Sequence, residues 1–93
     1  MPQREISYTG QFKRDLRLAQ KRGCDIPKLQ GIMMQMMNDQ FPLPAALLDH
    51  PLTGNYKKHR ELHVEPDWLL IYKISNTELQ FVRTGSHSDL FKS

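Results

Sequence analysis

The run Trp68-Leu-Leu-Ile-Tyr72 constrains the fold more than any other stretch of the chain. Pro66-Asp67 precedes it and Ser75-Asn-Thr77 follows after Lys73-Ile74, so turn residues bracket an apolar run too short to be a helix. Alternate residues of a strand point to opposite sides of a sheet, and here both sides are apolar. The run therefore predicts a central strand over 68–74, with helices covering one side. Strands expected over 61–65 and 78–84 complete a meander around it.

The helices lie upstream. Thr9 can cap a helix running to about Arg22, because Phe12, Leu16 and Ala19 recur at intervals of four and three, and Gly23 supplies the stop. Asp25 with Pro27 opens a second helix, to which Ile26, Leu29, Met33, Met36 and Met37 give an apolar face. The methionines read as core at this spacing. Phe41-Pro-Leu-Pro44 ends the helical region, and residues 45–58 read as a loop with one helical turn.

A chain of 93 residues is one domain, spanning 1–93, since a chain this short buries only about 60–65% of its unfolded surface. No apolar run is long enough for a membrane helix, and the N-terminal MPQREISYTG lacks the zones of a secretory signal, so the expected location is cytoplasmic. The lone Cys24 can form no internal disulfide and reads as structural. Net charge is +3, and seven of the thirteen basic residues precede residue 30. Lys13, Arg14, Arg17 and Lys21 form a ridge along the first helix, which fits a polyanionic partner, as a solvated helix face also would.

Titratable groups gather just before the central strand. In an extended chain His59, Glu61, His63 and Glu65 share one face while Arg60, Leu62 and Val64 share the other, so a polar face borders a cleft and an apolar face meets the core. No metal site is expected: His59 and His63 without a third ligand are a weak signal, and there is no cysteine pair. Ser86-His87-Ser88 is not a nucleophile elbow, and no glycine-rich loop cradles phosphate, so neither ATP nor a dinucleotide is implied and no cofactor is expected. General acid and base chemistry fits better, because four histidines in a small basic domain can exchange protons near neutral pH. RNA supplies its own nucleophile, the 2′-hydroxyl, and then needs a base, an acid and cations around the scissile phosphate. The competing reading of any one histidine is a surface or hydrogen-bonded residue.

Four runs, YTGQFKRDLRLAQKR, DHPLTGNYK, HVEPDWLLIYK and RTGSHSDLF, occur in an order and spacing that resembles the YafQ branch of the RelE/ParE toxin superfamily, over residues 3 to 91. The resemblance implies an α+β, RelE-like domain: an N-terminal strand and a two-helix hairpin packed on an antiparallel sheet of about four strands, with a short C-terminal turn or helix. It implies a ribosome-dependent mRNA interferase that cuts message in the A site without a metal, leaving a cyclic phosphate and a 5′-hydroxyl. The implied partners are a DinJ/RelB-like antitoxin, the 70S ribosome and mRNA, with operator DNA reached only through the antitoxin and no membrane.

Matched position by position, His50, His63, Asp67, His87 and Phe91 correspond to the active-site set of that branch. His87 is then the general acid and His50 the base, with His63 the alternative base. Asp67 would orient a histidine, and Arg83 would stabilise phosphate charge. Phe91 and Trp68 are candidates to stack on a nucleobase, Trp68 also reading as a core or cleft-wall aromatic. Lys57, Lys58 and Arg60 are assigned to RNA backbone, together with the helix ridge. Glu61 is placed beside these contacts without a catalytic part, since relatives can carry Asp there, and His59 has no implied role. The readings that compete with cleavage are a ParE-like inhibitor of gyrase and a non-catalytic RNA-binding relative.

Overall fold

In the computed structural model, which describes residues 4–91, strand β1 (Glu5–Tyr8) leads into helix α1 (Gly10–Lys21) and helix α2 (Ile26–Met37). A loop carrying 3-10 turns at Ala45–Leu47 and Gly54–Tyr56 encloses the two-residue strand β2 (His50–Pro51). Strands β3 (Arg60–Glu65), β4 (Trp68–Ile74) and β5 (Glu78–Gly85) follow, and helix α3 (His87–Leu90) closes the described chain.

Local chemistry sets these boundaries. The Thr9 side chain accepts from the Phe12 N–H and the Asp25 side chain from the Lys28 N–H, satisfying donors that a helix start leaves unpaired. Gly23, at φ 77°, takes the left-handed conformation that ends α1. One sheet carries the strands in the order β1-β5-β4-β3-β2. The apolar run is its middle strand, as expected, but the sheet has five strands and is mixed. β1 pairs parallel to β5, a connection made through the whole helical hairpin and the meander, and β2 adds an edge too short to leave a periodic signal.

Both faces of β4 are covered. Leu70 and Tyr72 join Phe12, Leu29, Met33, Met36, Leu62, Val64, Leu79 and Phe81 in the core beneath the helices. Leu69 and Ile71 point the other way and pack with Leu90 of α3, flanked by Leu52, Tyr56 and Val82. Each fully buried leucine or isoleucine here is worth about 1.5–3 kcal/mol relative to exposure. The second, smaller cluster matters most for the site: it forms the floor on which the titratable residues stand.

Candidate active site

Pairing between β2 and β3 sets His50 opposite Glu61, and directly opposed residues of an antiparallel pair share a face. His63 lies two residues further along β3 and therefore joins them. Glu61 and His63 are in register with Ile71 and Leu69, so all three polar side chains rise from the face built by the smaller cluster. Oε2 of Glu61 is 3.2 Å from Nε2 of His50 and 3.7 Å from Nε2 of His63. The Glu61 side chain is only 6% exposed, and its Oε1 is buried without a hydrogen-bond partner. Leu48, in the left-handed region at φ 53°, turns the loop so that its carbonyl accepts from His50 Nδ1 at 2.6 Å.

The third imidazole arrives from the far end of the chain. Ser86 caps α3 in a reciprocal capping box with Asp89, which fixes His87 as the first helical residue. Asp67, in the turn between β3 and β4, accepts from both the His87 ring Nδ1 at 2.6 Å and the His87 backbone N–H at 2.9 Å. These bonds, the backbone one foremost, hold the Asp67 carboxyl below its ordinary range. With Nδ1 engaged, Nε2 is the His87 atom left to handle a proton. Ring centroids step 6.2 Å from His50 to His63 and 5.8 Å from His63 to His87, a row of three imidazoles.

Arg83 stands on β5, where a register shift against β4 brings it opposite Ile71. β1 ends at Tyr8, paired with Phe81, so on that side β5 has no strand neighbour beyond this point, and Thr9 and α1 supply the missing partners. Thr9 Oγ1 donates to the Val82 carbonyl at 2.7 Å, and Asp15 Oδ2 accepts from the Thr84 N–H at 3.2 Å. Asp15 also takes a two-pronged bond from Arg83, Nε to Oδ2 at 2.9 Å and Nη2 to Oδ1 at 3.0 Å. That pairing raises the Arg83 pKa further, leaving a permanent cation near the row. Periodicity alone marked Phe12, Leu16 and Ala19 as the buried stripe of α1, yet Asp15 is buried with Phe12 and Ala19 while Leu16 is only half-buried. The signal was an acidic residue three beyond Phe12 and four before Ala19.

Other sequence candidates separate. Phe91 is 42% exposed and meets Tyr56 edge-on at 5.8 Å, so one face of its ring remains available. Trp68 is 5% exposed and its indole N–H donates to Thr84 Oγ1 at 2.9 Å; it is a core residue, and a ring enclosed in this way offers no face to a nucleobase. Arg60 is not on the histidine face. It alternates with Glu61 and is held by Asp49 through two bonds of 3.2 Å, beside a Tyr72 hydroxyl that also donates to Asp49. Burial, and then that hydrogen bond, pushes the Tyr72 pKa up. Glu61 likewise cannot serve as an RNA contact, being enclosed and turned toward two imidazoles. Lys57 and Lys58 are exposed beside the Gly54–Tyr56 turn, and His59 packs against Tyr56. Sequence reasoning assigned no site role to Asp49, Tyr56, Tyr72 or Thr84, whose parts depend on contacts 15 or more residues apart in several cases.

Residues 4–92 match the family described as "Bacterial toxin of type II toxin-antitoxin system, YafQ". The chain belongs to the YafQ family of toxins. It is 52% identical over 91 residues to the mRNA interferase toxin YafQ of Escherichia coli, covering 98% of this chain and 99% of that protein. Its fold matches the toxin in the crystal structure of the E. coli DinJ-YafQ toxin-antitoxin complex with a TM-score of 0.92 at 52% identity, over 96% of this chain and 98% of that one. A metal-bound toxin from Helicobacter pylori superposes with a TM-score of 0.81 at 42% identity, over 92% and 97% of the two chains. Among the described residues no helix is long and apolar enough to cross a membrane. The row of His50, His63 and His87, with Asp67 and Arg83, is drawn from β2, β3, the turn after it, β5 and α3, while Leu69 and Ile71 of β4 form the floor beneath it.

Proposed function

We propose that the chain is an mRNA interferase: an endoribonuclease that enters the ribosomal A site, cuts the bound message without a metal and is neutralised by a DinJ/RelB-like antitoxin. One observation carries the reading: three imidazoles in a row, the last held by a carboxylate, beside an arginine fixed by Asp15. The E. coli relative's name and its complex with DinJ support the same activity and class of partner.

In this mechanism a base, His50 or its neighbour His63, accepts the proton of the 2′-hydroxyl, and the resulting oxygen attacks the adjacent phosphorus. Charge accumulates on the non-bridging oxygens, where the Arg83 guanidinium stabilises it. The P–O5′ bond then breaks. His87 donates a proton to the departing 5′ oxygen, and the products are a 2′,3′-cyclic phosphate and a 5′-hydroxyl. Asp67 keeps the His87 ring at the angle this donation needs. Phe91 stacks on a base of the codon, while Lys57, Lys58 and the α1 ridge engage RNA backbone. Operator DNA is reached only through the antitoxin.

The test is cleavage of message in a purified translating system. His87→Ala is expected to slow cutting by about 10²–10⁴-fold while the protein still folds and binds antitoxin. Normal cutting by this variant would reject the acid assignment. Inhibition of DNA supercoiling with message left intact would instead favour a gyrase-directed toxin.

A further inference from the structure

We propose that Asp49 is a positioning residue for the base: Arg60 and Tyr72 grip its carboxylate on one side of the sheet, and that grip holds His50 in the groove on the other side. The inference rests on the nuclease reading with His50 as the base. It begins with how little regular structure fixes this stretch. β2 is two residues long, and its second residue, Pro51, has no N–H to give to the ladder with β3. Leu48, just upstream, sits in the left-handed region at φ 53°, a conformation unfavourable for a leucine. The Leu48 carbonyl is also the atom that accepts from His50 Nδ1 at 2.6 Å, so relaxation of the backbone at 48–49 passes directly to the imidazole.

Asp49 opposes that relaxation with three hydrogen bonds. Its Oδ1 accepts from Arg60 Nε at 3.2 Å and from the Tyr72 hydroxyl, and its Oδ2 accepts from Arg60 Nη2 at 3.2 Å. Arg60 and Tyr72 are partners in the β3–β4 register, so two adjacent strands present their donors at one point. Tyr72 is 1% exposed, with its ring packed in the core beneath the helices, which makes its hydroxyl a fixed post. Successive residues of an extended chain point to opposite sides, so a carboxylate tied down on the helix side leaves the next side chain, His50, on the side of Glu61 and His63.

This assigns Arg60 a part other than RNA contact. Its side chain is 36% exposed in an open cavity that Arg4 and Phe41 also line, yet the Nε and Nη2 edge of its fork is committed to Asp49. Asp49 touches no reacting atom. It acts through the placement of His50, where an error of about 1 Å is enough to cost roughly 10²-fold in rate.

The test resolves message cleavage on programmed ribosomes into kcat and KM for the full-length toxin. Asp49→Asn, Arg60→Gln and Tyr72→Phe are each expected to lower kcat about 10- to 100-fold and to change KM by less than about twofold. Arg4→Gln, which removes an arginine of the same cavity that is paired with Asp39, should keep both values. In a His50→Ala background Asp49→Asn should add no further loss, because its effect passes through the ring already removed. A raised KM at unchanged kcat would make Arg60 an RNA contact and overturn the proposal. So would a further tenfold loss in the His50→Ala background, or parent kinetics in all three folded variants.

The imidazole nitrogen NMR signals of His50 give a readout independent of cleavage. They should shift or broaden in Asp49→Asn while those of His87 stay in place, and unchanged His50 signals would overturn the clamp. If Asp49→Asn does not fold, Tyr72→Phe, which keeps the buried ring, carries both measurements. Cutting at the parent rate by His50→Ala removes the base assignment and this proposal with it, leaving cleavage itself standing. Parent toxin that leaves message intact rejects the nuclease reading, and the His50 signals then decide the clamp alone.

Discussion

Asp67 accepts two hydrogen bonds from His87, one from the ring at 2.6 Å and one from the backbone at 2.9 Å. A single carboxylate oxygen thereby locks both the start of α3 and the tilt of the imidazole. Asp67→Asn keeps an acceptor but loses the charge, so message cleavage is expected to slow roughly ten- to hundredfold, part of what a positioned acid contributes. The Asp67 carboxyl lies below its ordinary value of 3.8, so it is ionised throughout pH 5–8. Loss of that charge beside the assigned acid should therefore slow cleavage at neutral pH, and cleavage at the parent rate by the folded variant would contradict the assignment.

The Arg83–Asp15 pair predicts a different phenotype. Asp15→Ala leaves a half-buried guanidinium without its carboxylate and the Thr84 N–H without an acceptor, at a site where Asp15 is 7% exposed. A loss of about 2–4 kcal/mol in urea unfolding is expected, the upper end reduced because Arg83 is partly solvated. Asp15→Asn should recover part of that stability by still accepting from Thr84. If Asp15→Ala unfolds at the parent midpoint, the edge of β5 is held by something else.

Asp89 links acid stability to helix α3, which carries His87. Arg22 at 2.7 Å, and then the Ser86 N–H, lower its pKa to about 2. A depressed carboxylate contributes stability that is fully present above its unfolded pKa near 3.8 and is lost as pH falls through the folded value, so the window is about pH 4 down to pH 2. Asp89→Asn should cost about 1 kcal/mol at neutral pH and flatten the stability curve within that window. Parallel curves for the two proteins between pH 4 and pH 2 would refute the linkage.

How much of this was legible before the fold was known depends on whether the signal was local. Thr9, Gly23 and Asp25 act within four residues, and the two-sided apolarity of Trp68–Tyr72 needs no partner to be recognised; these elements appear where periodicity and capping put them. The parallel docking of β1 on β5 joins residues more than 70 positions apart and carries no local mark. Glu61 shows the same limit at the site. Its face was evident from alternation, but its burial follows from the two-residue strand β2, which sets His50 against it. Arg60 was read as a free cation because nothing near it announced Asp49, which lies across the sheet edge.

Trp68 and Phe91 were both candidates to stack on RNA, and their surroundings now assign them opposite mutational signatures. Trp68→Phe keeps the buried ring but removes the donor to Thr84 Oγ1, whose own hydroxyl donates to the Leu69 carbonyl. It should lower unfolding stability by about 1–3 kcal/mol and leave the rate and codon pattern of cutting unchanged once the protein is folded. Phe91→Ala removes a half-exposed ring at the end of α3, in contact with Tyr56. It should cost little stability but weaken cleavage by about 5- to 160-fold, the range of 1–3 kcal/mol for base–aromatic stacking. Urea titrations and 5′-end mapping of cleaved message, run on both variants, separate the two roles. A Trp68→Phe protein of parent stability with an altered codon pattern would reverse the assignment, because only a ring that touches RNA can change which codon is cut without changing how firmly the fold holds.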